Sequence, residues 1–282
     1  MNTTIKRKVG VKKAVKAKLT KFRPMVLSRH PSHRILRTSL ALNSFRAVVR
    51  LGSETVLEDD SRRVQINTPS GVRNSASKLR MKQCFDRAQV KHAPWIHTQD
   101  RQILTNWAIR TEFPIISKSF HGSRGEGNTK HDNMESLERF IRNNNINNYI
   151  FEKFVPYSRE YRLHVTNNGC FYTCRKLVRN DAPENTWQRH DDVCVWVVEE
   201  NPSFKKPANW NDIVQDCIRA KNALGLDICA FDVLVQGSTR DGERRNPEWL
   251  ICESCSAPSF GEITGQRYIQ EINRLVLQKR NI

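Results

Sequence analysis

The 282-residue chain has no apolar run approaching the roughly 20 residues that span a bilayer, which excludes a helical membrane protein. Its basic N-terminus carries no apolar stretch behind the charges, so no secretory signal is expected. Residues 1–24 lack acids altogether, yet they are rich in lysine rather than in arginine and serine, which argues against a transit peptide. Internal repeats and long low-complexity segments are missing beyond residues 1–24, which removes repeat architectures. Neither a GK[ST] phosphate loop nor a G-x-G-x-x-G fingerprint occurs.

Acids are the scarcer charged class, 29 against 47 lysines and arginines, leaving a formal net charge of +18. Half of that excess sits in residues 1–24, on Lys6, Arg7, Lys8, Lys12, Lys13, Lys16, Lys18, Lys21 and Arg23. Such an arm either contacts a polyanion such as nucleic acid or is a flexible solubilising tail. The eight cysteines lie mostly in apolar runs and read as reduced core residues of an intracellular, cytoplasmic protein. Cys252-x-x-Cys255 has no second CxxC, so zinc is only weakly signalled, even with Cys170 and Cys174.

The remaining length suffices for two or more lobes of mixed α/β (α+β) character. Short apolar runs at Met25–Leu27, Ala47–Leu51 and Val64–Ile66 predict a small N-terminal α/β lobe over 25–75. Asn67 to Gly71 reads as a turn, and Ser75–Val90 as one helix capped by Ser75 or Ser77. A second lobe, 76–154, is expected to hold a helix at Gln99–Thr111, a strand at Phe113–Lys118, a glycine loop at Ser119–Asn128, a helix at Met134–Asn143 and a strand at Tyr149–Phe154. In the third, 155–282, Glu160–Val165 and Cys170–Val178 form a hairpin around Asn167-Asn168-Gly169. Strands at Val193–Glu199, Ile228–Val235 and Trp249–Glu253, and helices at Asp212–Leu224 and Tyr268–Gln278, complete it.

Two acids stand out because their strands are otherwise apolar: Asp232 and Glu253. A buried carboxylate without a partner costs several kcal/mol, roughly, so a pair of them points to Mg²⁺, a hard cation that prefers oxygen. Lys118 ends a strand before a loop with Gly122, Ser123, Arg124, Gly125 and Gly127. Small residues let backbone amides approach phosphate while the lysine adds a point charge; an exposed hairpin loop explains the loop equally. Glu152, Lys153, Phe154 and Val155 end a strand whose backbone can hold adenine, with Glu160 placed for ribose hydroxyls; an ordinary strand is the alternative. Glu160, Arg162 and His164 share one strand face, and Arg175 and Lys176 lie on the returning strand. Those cations either neutralise phosphate or form a solvated face.

Taken in order from Arg73 to Gly261, these motifs resemble the ATP-grasp superfamily of carboxylate–amine ligases, with GLDICAFDVLV and CESCSAPSFG carrying most of the likeness. More narrowly the chain looks like the ligases encoded by tailed bacteriophages, which implies a host cytoplasm. The resemblance implies two lobes clasping ATP behind a smaller N-terminal lobe. It implies that Lys78 and Lys118 reach phosphate, that 121–128 covers it, and that Glu152 to Val155 is the adenine hinge. Glu160 would bind ribose, and Arg175 or Lys176, with Arg162 and Arg189, would act catalytically on the transferred phosphoryl group and the substrate. Asp232 and Glu253 would bridge Mg²⁺, or Mn²⁺ in its place. The expected activity is ADP-forming amide synthesis from a carboxylate and an amine. A phosphoryl-transferring kinase, or a nucleic-acid or virion-associated binder on a degenerate scaffold, are the alternatives. One position departs from the family: Cys255 stands where asparagine is usual, and a thiol is a poor Mg²⁺ ligand.

Overall fold

Three β-sheets follow one another along the chain, and each is built from consecutive strands. The computed structural model describes residues 25–28, 30–40, 47–122, 127–184, 186–187, 192–237 and 247–280. The first sheet is parallel, β1 (Met25–Leu27), β2 (Ala47–Arg50) and β3 (Val64–Ile66), with helix α1 (Arg34–Ser39) between its first two strands. Helices α2 (Pro69–Ala76) and α3 (Lys78–Arg87) lead to the second sheet. That sheet is antiparallel and contains β4 (Trp95–Ile96), β5 (Ile115–Ser119), β6 (Asn128–His131) and β7 (Tyr149–Lys153) in the order β4-β7-β5-β6. Helices α4 (Arg101–Thr111) and α5 (Met134–Asn143) are its crossovers. The third sheet, also antiparallel, has the order β10-β9-β8-β11-β12, with β8 (Arg159–Thr166), β9 (Gly169–Val178), β10 (Cys194–Val198), β11 (Cys229–Val235) and β12 (Trp249–Cys255). Helix α6 (Trp210–Leu224) precedes β11, and α7 (Glu262–Arg280) closes the chain.

Three sequence expectations change here. The Asn67–Gly71 turn is the start of a helix: Thr68 Oγ1 accepts from the Gly71 amide at 3.0 Å and Pro69 occupies the first turn. The single helix over Ser75–Val90 is two, broken at Ser77, whose extended backbone (φ −110°, ψ 117°) lets its hydroxyl cap α3. Helix α7 also begins six residues earlier than Tyr268. Gly265 hides its first turns from a propensity reading, and is there because a Cβ would lie 3.3 Å from Ile35 on α1.

Packing crosses the expected lobe limits. Met81 and Phe85 of α3 share a core with Tyr161, Leu163, Phe231 and Ile251 of the third sheet and with α6. Tyr268, Ile272 and Val276 of α7 return to pack on Val49 and Ile66 of the first sheet and on Leu51 just after β2. The second sheet keeps its own core, around Leu104, Ile115, Leu137 and Phe151. The α2 to α6 contact is tight enough to test. A Cβ on Gly71 would come within 2.4 Å of the Gly225 carbonyl oxygen, which is backbone and cannot rotate away. Gly71→Ala gains under about 1 kcal/mol of helix propensity but loses about 1–3 kcal/mol to overpacking. A lowered melting temperature is therefore expected, and an unchanged or raised one would contradict the contact.

Candidate active site

Side-chain alternation along the third sheet decides which groups face the second sheet. Two rows of cross-strand partners point that way: Trp196, Lys176, Glu160, Leu234 and Leu250, and then Val198, Cys174, Arg162, Asp232 and Glu253. Residues one step out of phase, such as Tyr161 and Phe231, enter the core. The two sheets enclose a cleft of about 890 Å³. Its walls include Ile116, Lys118 and Glu152 from one side and Glu160, Arg162, Lys176, Asp232 and Glu253 from the other, with Lys153, Phe154 and Val155 at the connection.

Alternation also corrects one expectation. Arg175 and Lys176 are adjacent on β9, so they face opposite ways. Lys176 lines the cleft. Arg175 lies on the core side, donates to the Ser203 carbonyl at 2.7 Å and sits over the Tyr161 ring. Its place is structural, and it is not among the residues that line the cleft.

Asp232 is held by two cations. Arg162 binds both its oxygens, Nε to Oδ1 at 2.7 Å and the terminal nitrogen to Oδ2 at 2.9 Å, and Lys176 Nζ stands 3.4 Å from Oδ2. Burial would raise the Asp232 carboxyl, but Arg162 and Lys176 outweigh it and hold the group well below the usual carboxylate range. Lys176 also donates to Glu160 at 2.5 Å. Trp196 covers this cluster, with the Arg162 guanidinium 4.8 Å and the Lys176 ammonium 5.1 Å from its ring.

A second cluster faces it. Glu152 receives Lys82 at 3.0 Å and Lys118 at 2.9 Å, all three being buried. Burial works against the Glu152 charge, yet the two lysines bring its pKa down to about 2. Burial likewise opposes the Lys118 charge, while Cys252 and Glu152 raise its pKa above that of an ordinary lysine. Burial pushes the Cys252 thiol up to about 12, so it is neutral at physiological pH and Glu152 is the true counter-charge. Cys252 Sγ touches Lys118 Nζ at 3.6 Å, which joins β12 to β5.

The other sequence-predicted residues fall as follows. Lys78, in the first turn of α3, donates to the Gly122 carbonyl at 3.0 Å and lies 3.8 Å from Glu253. Gly122 lines the cleft, and Gly127 adopts φ +74° at the foot of the β5–β6 loop. Ser123, Arg124, Gly125 and Arg189, and the basic arm 1–24, lie outside the described residues. Lys153 turns its ammonium to the end of α4, bonding the carbonyls of Thr111 and Glu112 at 2.8 and 2.9 Å. His164 shares the Arg162 face but is covered by Tyr268, whose hydroxyl is 3.0 Å away.

Sequence reading missed Lys82, Trp196 and His30, and weighed Cys252 only as a weak zinc ligand. Lys82 is one helical turn beyond Lys78, and that i, i+4 spacing was its only sign. His30 comes from the N-terminal lobe to line the cleft beside Pro258 and Ser259, with its Nδ1 2.7 Å from Ser32 Oγ.

The donor set fits one Mg²⁺ but not two. Glu253 is a partly exposed carboxylate (38%) that forms an ion pair with Lys78 at 3.8 Å and also acts electrostatically on Lys118. Asp232 is sequestered by Arg162, and the next cleft-facing position on β12, opposite Ala230, is the sulfur of Cys255. Sulfur is too soft for Mg²⁺. No cluster of three His, Cys, Asp or Glu suited to a metal occurs among the described residues.

No protein-family model matches the sequence, and no curated protein matches it. Solved structures do. The chain superposes on D-alanine–D-alanine ligase from Bacillus anthracis with a TM-score of 0.61 at 12% identity, covering 92% of this chain and 97% of that one. It is also similar to the ATP-grasp ligase PsnB complexed with minimal precursor (TM-score 0.53, 13% identity, 78% and 66% covered). A third is PurK, N5-carboxyaminoimidazole ribonucleotide synthetase, in its ADP complex (0.58, 15%, 82% and 60%). The chain thus spans only 66% and 60% of those last two proteins. The fold is that of the ATP-grasp ligases. None of these likenesses carries the narrower resemblance to bacteriophage ligases.

Proposed function

We propose that the protein is an ATP-dependent carboxylate–amine ligase. ATP phosphorylates a substrate carboxylate, giving ADP and an acylphosphate. An amine then attacks the acyl carbon, phosphate leaves, and an amide or peptide bond remains. The observation that carries this reading is the placement of Lys118, Lys176 and Arg162 around one cleft, each paired with a carboxylate that holds it in place. Phosphoryl transfer needs little acid–base chemistry from the protein and much electrostatic preorganisation.

In this proposal Lys118 and Lys78 bind phosphate oxygens, and the backbone of Glu152 to Val155 holds adenine. Glu160 binds ribose, and its existing bond to Lys176 sets its orientation. Arg162 and Lys176 stabilise charge on the transferred group. The Cys252 to Ser254 stretch and the β5–β6 hairpin keep water from the acylphosphate. A divalent cation bound at Glu253 would supply further neutralisation of phosphate charge. No helix among the described residues is long and apolar enough to cross a membrane, and we place the protein in the cytoplasm, where its eight free thiols stay reduced.

The test is ATP turnover screened against amino acids, peptides and acidic polymers, with mass spectrometry of the products. ADP release that depends on both substrates, and an amide product, are expected. Lys118→Ala and Asp232→Asn should each abolish it, and unchanged turnover in both would sink the assignment. A stable phosphorylated product would identify a kinase instead.

A further inference from the structure

We infer that this cleft takes one divalent cation where its two carboxylates suggest two, and that the guanidinium of Arg162, fixed by Asp232, is the permanent positive charge on the other side. The inference rests on the ligase reading above.

Three observations carry it. First, Asp232 has both oxygens engaged by Arg162 in a two-point pair, 2.7 and 2.9 Å, and Lys176 stands at 3.4 Å. With Glu160 bound to Lys176, the cluster among the described residues sets two cations against two anions, so its charges are already matched there. A dication seated on Asp232 would have to break the paired bonds or share ion-pair distance with a guanidinium, and like charges at that range repel strongly in a buried site. Second, Glu253 is a cross-strand partner of Asp232 but belongs to a different environment. It is partly exposed and faces Lys78 at 3.8 Å, so its oxygens are accessible to a hard cation. Third, the residue that follows Glu253 in phase on β12 is Cys255, opposite Ala230, and the intervening Ser254, which also lines the cleft, has its hydroxyl bonded to Ser75 Oγ at 3.0 Å. A bridged pair of Mg²⁺ ions needs shared hard donors, and sulfur is not one.

Arg162 is also held as a fixed charge should be. Trp196 lies 4.8 Å from the guanidinium on one side, and Asp232 grips it from the other. Its charge needs no loading from solution, and arginine stays protonated at any physiological pH. One metal function is thereby carried covalently by the chain.

The test counts Mn²⁺ bound to the full-length protein with a non-hydrolysable ATP analogue, by the electron paramagnetic resonance signal of free Mn²⁺. Equilibrium dialysis of the analogue runs in parallel. One Mn²⁺ per bound analogue is expected. Arg162→Gln combined with Cys255→Asn frees Asp232 and adds an oxygen donor, and should raise the count toward two, while Arg162→Lys with Cys255→Asn, which keeps the charge, should leave it at one. Two ions in the unmodified protein, none, or a count still at one in the folded Arg162→Gln, Cys255→Asn protein each overturn the inference. An analogue that does not bind at all overturns the ligase reading and the inference with it. Two ions on a bound analogue overturn the inference alone.

Discussion

Glu152→Ala is expected to destabilise the protein by about 3–5 kcal/mol, the usual cost of leaving a buried charge without its partner. The cost is at the upper end because one carboxylate serves two lysines. Lys82 is wholly buried, Lys118 is 5% exposed and Glu152 is 2% exposed, so water cannot replace the lost charge. The two lysines belong to different bodies, Lys82 to α3, which packs on the third sheet, and Lys118 to β5 in the second. Losing Glu152 therefore sets two ammonium groups against each other where the sheets meet. A fall in melting temperature on the order of 10 °C follows for a chain of this size. Glu152→Gln keeps the shape and should cost nearly as much, which separates charge from packing. The triple variant Lys82→Met, Lys118→Met, Glu152→Leu should recover most of the stability, since apolar replacement of a buried ionic cluster is often neutral or better. It should not recover ATP turnover. A fall of less than about 2 °C in Glu152→Ala would show that the cluster is solvated and the argument wrong.

The second large effect is loss of stability in acid. Burial, with Arg162 nearby, brings the His164 imidazole down from 6.5 to about 3. The unfolded chain takes up that proton near pH 6.5 and the folded chain does not until about pH 3. Stability is thus complete above pH 6.5 and falls as the pH drops through this window, by about 1.4 kcal/mol per pH unit for one such group. Burial lowers His33 and His131 in the same direction. Carboxylates join later. Glu152 stabilises the fold above its unfolded value of 4.5 and loses that contribution as the pH falls toward about 2. Urea unfolding followed from pH 8 to pH 4 should show a plateau and then a decline beginning near 6.5. His164→Gln, which still offers Tyr268 an acceptor, should flatten the upper part of the decline. The same slope in that variant would remove His164 from the account.

The third sheet was the most legible part of the sequence. Alternation in Glu160–Val165 and the Asn-Asn-Gly turn fixed the β8–β9 hairpin to within a residue at each end. Gly225 ends α6 in the left-handed conformation, φ +76°, as its position suggested. The start of α2 was less legible because Asn67 to Gly71 has turn composition, and the same Thr-Pro pair that closes a turn also opens a helix. At the site, Asp232 could be picked out because it stands alone among apolar neighbours. Its partner could not, since Arg162 is 70 residues away and only the β8–β11 register brings them together. Choosing between Arg175 and Lys176 needed the strand's phase. Lys82 and Trp196 gave no chemical signal at all, being a helical lysine and a strand aromatic until the sheets are assembled.

The phase of β12 itself depends on one extra residue. Val233 pairs with Ile251 but Asp232 pairs with Glu253, so Cys252 has no partner on β11. With strict alternation Glu253 would point into the core beside Phe231. The bulge turns it outward, and the displaced Cys252 is the residue that meets Lys118 across the cleft. A single side chain thus works as a spacer between two sheets. Its size sets how near β12 can come to β5. Exchanging it for a larger or smaller residue is a way to widen or narrow the cleft without replacing any charged residue.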